Sequence, residues 1–192
     1  MLFKDLKMIP SFTLSGALPP FTGDNPTSKA SMSPYETSMS SIVQRFGTSA
    51  ERLEIPVGLI RYRQALRDFG FTAGFQWIDG SFVEDVERTR NRAPQDIDLV
   101  TFARLTGVSQ AELKIKVQQN QGLFLPKETR RQYQCDAYLV QLDKEASLLV
   151  DDTRYWFGLF SHQRTTSLWK GMLKLDLQSD DTQALQLLKG AA

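Results

Sequence analysis

The sequence predicts an α/β fold of the α+β kind: one mixed β-sheet packed by helices, led by an extended N-terminal arm. Three observations predict it. Strand-like apolar runs recur at 74–78, 96–102 and 132–142, each bounded by turn or polar residues. Between them lie stretches with helical spacing, such as Leu59, Tyr62, Leu66 and Phe69. Independent helix-start signals stand at Thr48 or Ser49, at Ser109 and at Ser179. With 192 residues, 41% of them apolar and twelve of them Phe, the chain can bury one sizeable core.

Residues 10–41 are rich in Ser, Thr, Pro and Gly, and the spacing of Pro19, Pro20, Pro26 and Pro34 forbids a long helix or central strand. This segment reads as an arm on the body, anchored by Phe12, Leu18, Phe21 and Tyr35, followed by a single domain over 42–192. A short helix is expected within 34–46. The next helix starts at Thr48 or Ser49 with Glu51 in its first turn, is interrupted or restarted at Pro56, and ends at Gly70. Its apolar stripe faces the core, with Arg61 and Arg67 off the stripe.

The strand at 74–78 leads into Gly80-Ser81, where Ser81 with Glu84 three residues on suggests a capped helix over 82–87. Glu84, Asp85, Glu87, Arg88, Arg90 and Arg92 read mainly as a solvated loop, though one arginine could reach a phosphate. A second strand covers 96–102. Residues 109–119 fit a strand by alternation and a helix by the Ser109–Glu112 capping box; the independent cap signal favours the helix. The third strand, 132–142, carries Asp136 at its centre. That acid either pairs with Arg130 or Arg131 or joins a metal site. A helix over 148–160 buries Tyr155, Trp156, Phe157 and Phe160. A turn at 165–167 then leads to a strand at 172–177, and Ser179 caps a last helix with Asp180 and Asp181 in its first turn.

One cysteine, Cys135, excludes an intramolecular disulfide and a Cys-rich zinc site, and one histidine, His162, excludes a His-based metal cluster. No segment reaches the roughly 18 apolar residues needed to span a bilayer, so the chain reads as cytoplasmic, with no membrane partner. What remains is oxygen chemistry. On a strand, Asp96 and Asp98 share a face, and two carboxylates so placed repel unless a cation lies between them. With Asp136 from another strand they form a histidine-free oxygen site suited to Mg²⁺ or Mn²⁺. Gly80 and Ser81 offer a bare N–H and a hydroxyl to the far end of a phosphate chain.

The order Trp77-Ile78-Asp79-Gly80-Ser81, then Gln95-Asp96-Ile97-Asp98-Leu99, then Asp136 resembles the DNA polymerase beta-type nucleotidyltransferase superfamily. That resemblance implies a minimal nucleotidyltransferase-type sheet, Gly80 and Ser81 on the phosphate-holding turn, and Asp96, Asp98 and Asp136 as metal ligands and catalytic acids. It also implies an NTP as substrate. A closer likeness is to a small, mostly bacterial nucleotidyltransferase-like family, through Leu18-Pro19-Pro20, Gly80-Ser81-Phe82, Cys135-Asp136-Ala137-Tyr138, Tyr155-Trp156 and Lys170-Gly171. Small relatives of this kind often act beside a protein partner, some as antitoxins that adenylylate a toxin. The excursion of fourteen residues from Ser81 to Asp96 is slightly longer than that superfamily's pattern, and no second, base-selecting domain is visible.

Two other readings stay open. One is a non-catalytic nucleotide-binding or regulatory protein of the same fold. The other is a metal-dependent nuclease built on Asp96 or Asp98 with Glu112 and Lys114, which requires residues 112–117 to be a strand. A net charge of +1 predicts no tight binding to generic duplex DNA. The expected acceptor is a protein or small molecule, while an RNA end held by local groups such as Arg130 and Arg131 remains open.

Overall fold

Five strands form one mixed sheet in the computed structural model, which describes residues 8–105, 107–164 and 166–191. They are β1 (Tyr35–Thr37), β2 (Ala73–Asp79), β3 (Ile97–Arg104), β4 (Cys135–Gln141) and β5 (Leu173–Asp176), in the order β1-β5-β2-β3-β4. The β1/β5 and β3/β4 pairs are parallel; β2 runs antiparallel to both of its neighbours. The helices are α1 (Met39–Phe46), α2 (Ala50–Phe69), α3 (Val86–Arg90), α4 (Gln110–Gln119), α5 (Pro126–Tyr133), α6 (Ala146–Phe160) and α7 (Asp181–Ala191). The α/β class read from the sequence is the observed one, with helices packed on both faces of the sheet.

Strand alternation sorts the two faces. Ile78, Leu99, Ala137, Leu173 and Leu175 join the main core with Ile42 and Phe46 of α1, Leu59, Tyr62 and Leu66 of α2, and Leu188 of α7. The opposite face carries Trp77, Val100, Phe102 and Val140, covered by Trp156 and Phe160 of α6. At roughly 1.5–3 kcal/mol for each large apolar side chain buried, both layers contribute, the first by far the more.

Helix α2 begins where expected, with the Ser49 side chain accepting from the Arg52 N–H, and it stops at Gly70. Pro56 does not interrupt it. The ring removes one backbone donor, but Ile55, Pro56 and Leu59 are all buried against the core, and that packing outweighs the local cost. Nothing in the local pattern marks Arg63 as fully buried, yet it is. Its Nε lies 3.0 Å from both carboxylate oxygens of Asp181, its Nη1 donates to Gln76 Oε1 at 2.7 Å, and its Nη2 to the Asp176 carbonyl at 2.8 Å. Helix α2 is thereby tied to β2, to the end of β5 and to the first turn of α7.

Several boundaries differ from the sequence reading. Residues 35–37 are an edge strand, so α1 starts only at Met39. Residues 132–134 belong to the end of α5 and its left-handed C-cap at Gln134, because the Gln134 N–H closes onto the Arg130 and Thr129 carbonyls; β4 starts at Cys135. The last helix starts at Asp181, and Asp180 instead accepts from the Met39 and Ser40 N–H groups at the start of α1. Tyr155 points outward, whereas Trp156 and Phe160 are buried. In the expected turn at 165–167, residue 165 lies outside the described residues. Among the described residues no helix is long and apolar enough to cross a membrane.

Candidate functional site

The register of the sheet brings carboxylates together at one of its ends. Asp79, the last residue of β2, is paired with Asp98 of β3, and Asp98 is paired with Asp136 of β4. Neighbouring strands lie about 4.8 Å apart, so these acids form a row across three strands. By alternation the row belongs to the α6 face, one step beyond Trp77, Val100 and Tyr138. Asp96 stands just before β3, two residues from Asp98. The three acids expected from the sequence are therefore neighbours, and Asp79 is a fourth that the sequence reading placed only at the end of an apolar run.

Gly80 follows immediately and explains its own identity. Its φ is +86°, and a Cβ there would fall 1.9 Å from Asp98 Oδ2. Only glycine leaves room for the Asp98 carboxylate to rest on the turn. Ser81 is half-buried beside it and opens a single 3₁₀ turn over Ser81–Val83 rather than the expected capped helix. The reason is Glu84. Instead of returning to a cap it turns inward, nearly fully buried, and Arg90 Nη2 lies 2.8 Å from its Oε2.

Lys170 completes that inward arrangement. Its ammonium lies 2.9 Å from Asp79 Oδ1 and 2.8 Å from Glu84 Oε1, with all three side chains at most 7% exposed. One cation thus spans the turn from the residue before Gly80 to the residue after Val83. Burial alone would pull the lysine's pKa down, but the two carboxylates outweigh it and hold the ammonium above its ordinary range. For Asp79 burial outweighs Lys170, and its pKa is raised. The backbone around Lys170 is fixed as well: the Gly171 N–H donates to the Leu18 carbonyl and the Asp85 N–H to the Gly16 carbonyl, so the arm clamps both sides.

Arg130, in the last turn of α5, lies over the other end of the row. Its Nε is 2.7 Å from Asp96 Oδ2, and its Nη2 pairs with Asp136 Oδ2. Helix α5 is brought there by Gly58 of α2, where a Cβ would lie 2.0 Å from the Tyr133 carbonyl oxygen. Of the two fates expected for Asp136, the arginine pair is present, yet Asp136 Oδ1 is buried with no hydrogen-bond partner among the described residues. Asp98 fares worse. Desolvation first, then the Asp96, Asp79 and Asp136 charges, push its pKa up to about 6.

As these side chains stand, no group of three His, Cys, Asp or Glu among the described residues is arranged around a common ion position. Arg130 instead pairs with both Asp96 and Asp136. The donor chemistry nonetheless fits a hard divalent cation: all ligands would be oxygens, one buried oxygen is unpartnered, and Asp98 is crowded by like charges. The remaining candidates are engaged elsewhere. Arg88 pairs with Asp85 at 2.7 Å, and Glu112 closes the Ser109 capping box on α4. His162 holds the end of α6 through the Gly158 carbonyl, 3.2 Å from its Nδ1. Burial, aided by Asp96, keeps the Cys135 thiol well above its ordinary range and therefore neutral.

Residues 10–176 match a family of unknown function, DUF6932. The chain belongs to that family. The DUF6932 match takes in every residue of the cluster, from Asp79, Gly80 and Ser81 through Asp96, Asp98, Arg130 and Asp136 to Lys170, together with the arm that clamps it. Helix α7 lies beyond the match. No curated protein matches the sequence.

Proposed function

We propose that this protein is a metal-dependent nucleotidyltransferase acting in the cytoplasm. It would transfer the nucleoside monophosphate of an NTP to an acceptor, with Mg²⁺ or Mn²⁺ held by Asp96, Asp98 and Asp136. The observation that carries the reading is the carboxylate row across β2, β3 and β4 with Asp98 lodged on the Gly80 turn. When bound, the divalent ion would supply charge neutralisation of the phosphates and acidify an attacking hydroxyl.

In the reaction an acceptor hydroxyl oxygen bonds to the α-phosphorus, the bond from that phosphorus to the bridging oxygen breaks, and pyrophosphate leaves. The hydroxyl proton needs an acceptor, and this reading assigns it to Asp136, whose Oδ1 has no hydrogen-bond partner among the described residues. The Gly80-Ser81 turn offers a hydroxyl that makes no hydrogen bond among the described residues, suited to the terminal phosphates where charge develops. Lys170 and Glu84 hold that turn from beneath. The acceptor we favour is a protein or a small molecule, in a toxin–antitoxin or defence setting. An RNA end is a further outcome of the test, and generic duplex DNA is not expected.

The Arg130 bridge favours one second reading, a non-catalytic nucleotide-binding or regulatory protein of this fold. The nuclease reading lacks its strand, because residues 110–119 are helix α4. Incubation with each labelled NTP and Mg²⁺ or Mn²⁺, with and without cell lysate, tests the proposal. Ser81→Ala should weaken NTP use about tenfold, the value of one hydrogen bond to a charged group at roughly 1.5 kcal/mol, while Lys114→Ala leaves it unchanged. Full activity in Ser81→Ala beside an inactive Lys114→Ala would reject the assignment.

A further inference from the structure

Resting on that reading, we propose that Arg130 is a resident counter-cation of the carboxylate row, one that a divalent ion must displace in order to bind. Three features point to it. Its guanidinium forks between Asp96 and Asp136, two acids on different elements that a shared ion would also bridge. The arginine side chain is 52% exposed, so it can swing into water without unpacking α5. The pairing is also incomplete. Among the described residues three cations, Lys170, Arg90 and Arg130, face five carboxylates, those of Asp79, Glu84, Asp96, Asp98 and Asp136. When all are ionised, two negative charges remain uncompensated, and they centre on Asp98 and the unpartnered oxygen of Asp136.

Lys170 and Arg130 therefore differ in kind. Lys170 is buried and ties the turn together. Arg130 lies at the rim and neutralises only the acids that the proposed ion needs. A guanidinium is a broad planar donor and cannot reach Asp98 while bridging its two partners, whereas a compact divalent ion can share all three acids. Displacement leaves the arginine beside the same acids, free to meet an anion that arrives with the ion.

The test uses Mn²⁺ alone, titrated into the metal-free full chain and followed by the electron paramagnetic resonance of free Mn²⁺. Two ion pairs of a half-exposed arginine compete with the metal, so Arg130→Ala should bind Mn²⁺ about five- to tenfold more tightly than the wild type. Arg130→Lys, which keeps the charge but cannot fork, should lie between them. Thermal unfolding gives a second readout: without metal Arg130→Ala should melt below the wild type, and with saturating Mn²⁺ the difference should close, because the wild type gives up the same ion pairs on binding. Equal Mn²⁺ affinity in wild type and Arg130→Ala would overturn the role of Arg130 while leaving the metal site standing. No Mn²⁺ binding in any of the three proteins would overturn both.

Discussion

Lys170→Met is expected to destabilise the protein by about 3–5 kcal/mol, the usual cost of removing one partner from a buried ion pair. The lysine is the shared partner of Asp79 and Glu84, and both acids are nearly closed off from water, at 7% and 5% side-chain exposure. Without the ammonium both must take up protons or remain charged in a low dielectric. The pH dependence follows from that. Asp79 already titrates above its ordinary value, and losing the cation raises it further. A carboxylate with a raised folded pKa contributes stability below its unfolded pKa, and this is lost as pH rises through the folded value. The deficit of Lys170→Met should thus be largest near neutrality and shrink as pH falls toward about 4. Urea unfolding across that range measures it. Lys170→Met combined with Glu84→Gln should cost clearly less than the sum of the two single changes, because they share one contact.

Asp98→Asn should remove metal-dependent activity and yet stabilise the metal-free protein. With a pKa pushed from 3.8 to about 6, Asp98 holds a proton in the folded state that the unfolded chain releases. Stability declines as pH rises through that window, by at most about 3 kcal/mol, because each tenfold change in proton affinity is worth about 1.36 kcal/mol. Water reaches part of the side chain, so about 1–2 kcal/mol is the expected gain above pH 6 for the asparagine variant. Below pH 4 the two proteins should unfold alike. Saturating Mn²⁺ should invert the ranking, since a ligand at a hundred times its Kd stabilises the protein that binds it by about 2.7 kcal/mol. Denaturation with and without Mn²⁺ at pH 5 and pH 7.5 checks both signs.

The strands and the acids were legible because their signals are local. Alternation over 74–78 and 96–102 needs only consecutive residues, and the Ser109–Glu112 capping box lies within four. Register is a different matter. That Asp79 faces Asp98, and Asp98 faces Asp136, depends on which strands the fold makes neighbours, and no single run of residues states it. The buried cations were missed for the same reason. Lys170 meets Glu84 across 86 positions and Arg63 meets Asp181 across 118, so each reads locally as an ordinary surface charge. One clue was within reach: Glu84 stands three residues after Ser81 but also directly after the apolar pair Phe82-Val83, both buried, and so had a buried path to follow. Pro56 shows the opposite failure, a strong local rule overruled by packing along a 20-residue helix.

The most direct measurement of the central claim follows the label of an NTP marked in turn at its α- and γ-phosphates, with Mg²⁺ or Mn²⁺ and cell lysate. A nucleotidyltransferase leaves α-label on the acceptor and releases γ-label as pyrophosphate. The proposal expects that partition in the wild type, none of it with the metal chelated, and none in Asp98→Asn. Transfer of γ-label, or α-label transfer that survives Asp98→Asn, would contradict it.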